Sequence, residues 1–216
     1  RMRAVINKGI EEHHLFTSMD LGLAAGIRNF RLYIMIGLPF EEEEDIDAII
    51  ALAERLKDYM EEKGSKGILT LSVNPFIPKP FTPFQWEPMA DRKVVEKRLK
   101  RLEKTLRRRK NVIVNIESPK EAYIQGVLSR GDRRVGEALV RAHELGGSKA
   151  FKRALKEMHL DPAFYLYRER PEDEIFPWER LDMGFHKSYL YEELKKSKEL
   201  KPTIPCFEGC HRCGVC

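Results

Sequence analysis

Upstream of Cys206 the chain has no cysteine at all, so any thiolate site or disulfide must be built within its last eleven residues. Glutamine is nearly absent too, with only Gln85 and Gln125, while charged residues make up 34% of the sequence. That balance is frequent in proteins from hot environments, and a thermophilic source is the expectation. No stretch approaches the roughly 18 uninterrupted apolar residues a bilayer span requires, and Arg1-Met2-Arg3-Ala4-Val5 lacks the apolar run of a signal peptide. A cytoplasmic, reducing location without a membrane partner is therefore expected, which weighs against disulfides. There is no glycine-rich phosphate loop, no nucleophile elbow, no internal repeat and no low-complexity tract. The hydrophobic content of 42% suffices for a real core, which excludes a disordered chain.

What is present reads as alternating strands and helices. The spacing predicts a helix from Ile10 to Ala25, ended by Gly26. The nearly unbroken apolar run Phe30 to Pro39 has the pattern of a parallel strand covered on both faces. Glu41 to Asp45 starts a helix whose acidic first turn suits the positive end of the macrodipole, with Ile46, Ile49, Ile50, Ala53 and Leu56 as its buried stripe. The unit repeats in Gly67 to Asn74, a proline-rich loop from Pro75 to Pro88, and a helix from about Asp91 to Lys110. A third extended run, Val112 to Ile116, leads to helices near Lys120 to Leu128 and Arg133 to Leu145, the latter capped by Asp132. Beyond Gly147 come a short helix to about Met158, irregular aromatic-rich sequence, and a helix near Lys187 to Lys198.

Such units predict an α/β fold with a parallel sheet, whose ligands bind beyond the carboxyl ends of the strands. Gly37-Leu38-Pro39 and Asn74-Pro75-Phe76 are two such ends. A glycine there admits a ligand to the backbone, and Asn74 offers a donor and an acceptor; equally, Gly37 and Pro39 serve simply to turn the chain.

Cys206-x3-Cys210-x2-Cys213-x2-Cys216 is a metal site or a disulfide knot. The spacing favours metal, because short steps let a turning backbone converge several thiolates on one centre, whereas disulfides between such neighbours are strained. Zinc sites draw on separated cysteine pairs, so four cysteines this close favour an iron-sulfur cluster, with zinc as the alternative. His211 falls between the ligands and is read as a bystander. The helix from Asp91 to Lys110 carries eleven basic residues; its stripe Val95, Leu99, Leu102 and Leu106 packs inward, leaving the charges on a solvated face or against the phosphates of RNA. His13 and His14, being adjacent, do not share a helix face.

Taken together, these segments resemble the radical S-adenosylmethionine (SAM) family. Tyr33-Ile34-Met35-Ile36-Gly37-Leu38-Pro39 looks like the fifth strand of its barrel, and Val73-Asn74-Pro75-Phe76 with the proline-rich run to Trp86 looks like the sixth. Leu160 to Arg170, Pro177-Trp178 and Cys213-Gly214-Val215-Cys216 resemble the C-terminal half of uncharacterised members that usually carry an N-terminal cobalamin-binding-type domain. The resemblance implies residues 1–118 as the last part of an incomplete parallel, TIM-like barrel, residues 119–199 as a mainly helical extension, and residues 200–216 as a cysteine-rich metal-binding tail. It further implies a four-iron, four-sulfur enzyme that cleaves SAM reductively, with cobalamin a candidate cofactor of the full-length protein. Ile36, Gly37, Asn74 and Phe76 match positions that lie against the SAM adenine, and Lys8 matches a basic position after the fourth strand that reaches the SAM carboxylate. Phe81 stands where relatives often carry histidine. The family's own catalytic cysteine triplet lies upstream of everything present. The tail is accordingly expected to bind an auxiliary cluster, and the chain to be a fragment or split half whose partner is the N-terminal half. The other expectation is a non-enzymatic metal-binding module contacting RNA or a ribosomal component, or a zinc-stabilised interaction protein.

Overall fold

Aliphatic and β-branched residues form three short strands, β1 (Phe30–Ile36), β2 (Leu69–Pro75) and β3 (Val112–Ile116). A computed structural model describes residues 1–215 and pairs these strands in the order β1-β2-β3, all parallel. Phe30 lies opposite Leu69, and Leu69 opposite Val112. Parallel neighbours need crossover connections, and the helices α3 (Glu43–Glu62) and α4 (Arg92–Leu106) supply them. The N-terminal segment contributes α1 (Met2–Val5) and α2 (Glu12–Ala24). The expected α/β class with a parallel sheet is thus observed, and no helix among the described residues is long and apolar enough to cross a membrane.

One face of the sheet is covered. Ile36, Leu69, Leu71 and Val73 pack on Ile46, Ile50, Ala53 and Leu56 of α3 and on Val95, Leu99, Leu102 and Leu106 of α4, so the helical stripes expected from periodicity are the buried ones. The first turn of α3 carries Glu43, Glu44 and Asp45, and Asp45 accepts a hydrogen bond from Glu42 N at 2.8 Å, which closes the helix start.

The second face departs from expectation. β1 was expected to be covered on both sides, yet its side chains alternate between covered and open, with Tyr33 77% exposed. Because side chains alternate across a strand, Met35 shares that open face with Tyr33, as do Thr70, Ser72 and Asn74 of β2 and Ile113 and Asn115 of β3. The apolar run in β1 therefore marks two chemically similar faces, of which, among the described residues, only one has helices against it.

Past β3 the chain is helical: α5 (Pro119–Arg130), α6 (Arg133–Glu144), α7 (Phe151–Glu157), α8 (Pro162–Leu166) and α9 (Lys187–Lys198). Asp132 caps α6 as expected, accepting from Arg134 N at 3.0 Å. Two further cores form here, and neither follows chain order. Ile77 and Met89, from the two ends of the proline-rich loop, join the core of α5 to α8. Phe76, Phe84 and Trp86 join a third core with Val5 of α1, Phe176, Trp178, and Leu190 and Leu194 of α9.

Gln85 locks this loop. Its side chain is buried, and its Oε1 accepts from Phe81 N at 3.1 Å and from Trp178 Nε1 at 2.8 Å. Gln85→Ala would leave the buried Trp178 Nε1 and the part-buried Phe81 N unpaired and is expected to cost about 2 kcal/mol, read as a lower urea midpoint with red-shifted tryptophan fluorescence. An unchanged midpoint would remove Gln85 from this role.

Candidate functional sites at the strand ends and the cysteine tail

Register brings four of the five expected SAM-contacting residues to one edge of the sheet. Met35 pairs with Asn74 and Ile36 with Pro75, and Phe76 N donates to Ile36 O at 2.8 Å just past the ladder. Ile36 is fully buried, and Phe76 meets Phe84 edge-on with ring centroids 5.6 Å apart. Asn74 points to the open face beside Met35, and among the described residues its side-chain amide has no hydrogen-bonding partner.

Gly37 is committed to the fold. Its φ of +85° lies in the left-handed region, its N–H donates to Glu41 Oε1 at 2.9 Å, and a Cβ would come within 2.9 Å of Val95 Cγ2 and 3.2 Å of Ala90 Cβ. Glu41 in turn receives Arg98 NH1 at 2.8 Å, while Arg98 Nε reaches Glu43 at 2.9 Å and NH2 reaches Glu41 O at 3.0 Å. Burial pushes the Glu41 carboxyl above its usual range, opposed by the Gly37 N–H and the Arg98 charge. This buried ion pair fastens the end of β1 to α4. Sequence reading assigned Glu41 to a helix start and Arg98 to a solvated face. The signal for Arg98 was nevertheless there, since position 98 falls within the inward stripe of Val95, Leu99 and Leu102.

Lys8 stands apart from this edge. It is exposed in the connection between α1 and α2, preceded by a helical turn rather than a strand. No hydrogen bond, ion pair or ring contact joins it to Ile36, Gly37, Asn74 or Phe76. His13 and His14 lie at the start of α2, where His14 Nδ1 accepts from Glu11 N at 3.0 Å.

The cysteine tail folds back on the start of α9, where His186 N donates to Cys213 O at 2.8 Å. Cys206 is exposed, Cys210 buried and Cys213 half-buried, all three as free thiols; Cys216 lies outside the described residues. Among the described residues no group of three or more His, Cys, Asp or Glu side chains is gathered closely enough to hold a metal ion. Arg212, which sequence reading passed over, organises the segment. Its Nε donates to Cys210 Sγ at 3.1 Å, and its NH2 donates to Ile204 O at 2.9 Å and Pro205 O at 3.1 Å. The guanidinium holds the Cys210 thiol below its ordinary pKa, favouring the thiolate that a metal requires. A cation two residues from a thiol was the available signal.

No family model matches the sequence, and no solved structure matches it. An uncharacterised protein of Methanocaldococcus jannaschii, MJ0966, is 32% identical over 139 residues, covering 64% of this chain and 29% of that protein. The matching region spans less than a third of that relative.

Gly37→Ala is expected to cost about 2 kcal/mol in urea denaturation of the ligand-free chain, through the left-handed backbone and the collision with Val95. In a metal-free variant retaining only Cys210, alkylation should proceed at lower pH than for an ordinary thiol. Arg212→Gln should shift the pH–rate profile upward, towards the free-cysteine value of about 8.5.

Proposed function

We propose that this chain is the C-terminal portion of a radical SAM iron-sulfur enzyme, with its cysteine tail holding an auxiliary cluster. The observation that carries the reading is the parallel sheet with one face bare. All-parallel sheets normally have both faces covered, and the bare face mixes Tyr33, Met35 and Ile113 with Thr70, Ser72, Asn74 and Asn115. Such a mixed face suits the inside of a barrel that the upstream half would complete, and an open sheet edge suits further strands.

The residues fit the two implied groups unequally. Asn74 presents an amide unpaired among the described residues at the carboxyl end of β2, able to donate to and accept from a polar heterocycle edge, while the ring of Phe76, two residues on, packs edge-on against Phe84. Gly37 offers less, because Glu41 occupies its N–H and Val95 the space beside it. For the tail, a thiol-only donor set with one thiolate favoured by Arg212 suits a soft iron-sulfur centre. When bound, the cluster and SAM of such an enzyme supply reductive cleavage to a 5′-deoxyadenosyl radical. This chain's part is to position the nucleoside at the strand ends and to hold iron at its terminus.

Anaerobic reconstitution with iron and sulfide, followed by metal analysis and electron paramagnetic resonance, tests the tail. About four irons per chain with a reducible signal, lost on replacing Cys210 and Cys213 by serine, are expected. Stoichiometric zinc without a signal would sink the reading.

A further inference from the structure

The basic residues of α4 divide into two sets. Arg98 and Arg101 are neutralised by Glu41, Glu43 and Asp47, and Arg92 by Glu96. Beyond the helix end, Arg109 meets Asp58 and Glu61. Lys93, Lys97, Lys100, Lys104, Arg107 and Arg108 are all exposed, and none has a carboxylate within ion-pairing distance among the described residues. Steps of four, three and four residues keep Lys93, Lys97, Lys100 and Lys104 on one side of α4, and Arg107 and Arg108 continue the row just past its last turn. Along Lys93, Lys97 and Lys100 like charges at this spacing repel one another, whereas Lys104, Arg107 and Arg108 sit at the negative end of the helix macrodipole. The formal net charge of the whole chain, +5, is smaller than the charge of this stripe alone.

The same six residues line a broad groove of about 1350 Å³ that runs from α4 to Ile116 at the end of β3 and Pro119 at the start of α5. Its chemistry selects among partners. Of its lining side chains only Leu99, Ile116 and Pro119 are apolar, Leu99 being 3% exposed and the other two half-buried, so a protein partner finds few aliphatic or aromatic side chains on which to anchor. No aromatic side chain lines it, which removes the stacking platform that single-stranded bases need. A row of mobile point charges without base-reading groups matches a phosphodiester backbone.

We infer that this groove binds the phosphate backbone of a nucleic acid duplex, without regard to sequence. Lys93 to Arg108 replace condensed counterions along one strand, and Glu103 is the one lining carboxylate without an ion-pair partner among the described residues. The inference stands independently of the radical SAM reading, because it uses none of the residues proposed to contact SAM and none of the cysteines.

Fluorescence anisotropy of the full chain with a 20-base-pair RNA duplex and the matching DNA duplex, titrated with KCl, is the test. On DNA the plot of log K against log[KCl] should fall with a slope of about −5, six contacts contributing about 0.9 each. Lys100→Gln, Lys104→Gln and Arg108→Gln combined should reduce that slope by about 3 and weaken binding about 100-fold at low salt, with helical circular dichroism unchanged. Neutralising Lys195, Lys196 and Lys198 on α9, none of which lines the groove, removes the same charge and should leave the slope intact. Tighter binding to RNA would identify an A-form partner, and equal affinity a reading of backbone charge alone; both uphold the inference. Equal losses in the two triple variants, or competition by polyglutamate as effective as by unlabelled duplex, would overturn it, the latter assigning the groove to an acidic protein.

Discussion

Gln85 Oε1 accepts two hydrogen bonds, one from Phe81 N within its own loop and one from Trp178 Nε1 more than ninety residues away in sequence. The proline-rich loop around it has little regular structure, so its polar groups must be satisfied by side chains rather than by a ladder. Phe81 N depends on Gln85, and Lys79 O accepts from Thr82 Oγ1 at 2.8 Å. With the loop held, Ile77 and Met89 reach the core of α5 to α8 while Phe76, Phe84 and Trp86 reach the core around α9. The segment leaving β2 is therefore the seam along which the sheet and the helical extension join, and loosening it would disturb both.

A second tie acts at the neighbouring strand end. Glu41 and Arg98 are both buried, and an ion pair removed from water gives a net gain only when further hydrogen bonds complete it. Here Gly37 N and Glu41 O supply them. The consequence reaches the candidate site. Holding the β1 end this tightly occupies the Gly37 N–H, while the amide of Asn74 faces the open side of the sheet with no hydrogen-bonding partner among the described residues.

Charge is distributed by the same logic of pairing. On α4, arginines that face α3 are matched by carboxylates, whereas the outward row from Lys93 to Lys104, continued past the helix by Arg107 and Arg108, has no ion-pair partner among the described residues. In the tail, Arg212 is shared between a sulfur and two carbonyl oxygens, which orders the chain around Cys210 and favours its thiolate. Both arrangements rest on which partner lies across the gap, and composition alone carries no information on that.

Much of the architecture was legible in the residues themselves. The 3.6-residue stripes of α3 and α4, the Asp132 cap and the β-branched runs are local properties, fixed by backbone geometry and by where apolar atoms recur along a few turns. The approximate limits of those elements and the convergence of Gly37 and Asn74 at strand ends followed from that pattern. Tertiary structure decided what local pattern could not. It left one face of β1 bare although its sequence is apolar on both, and it buried Arg98 while leaving Lys97 and Lys100 in water. It also set Gln85 beneath Trp178 and committed Gly37 to Glu41. Each of these outcomes depends on a partner dozens of residues away, and a hydrogen bond or ion pair has a definite energy only once both ends, and the water excluded between them, are in place.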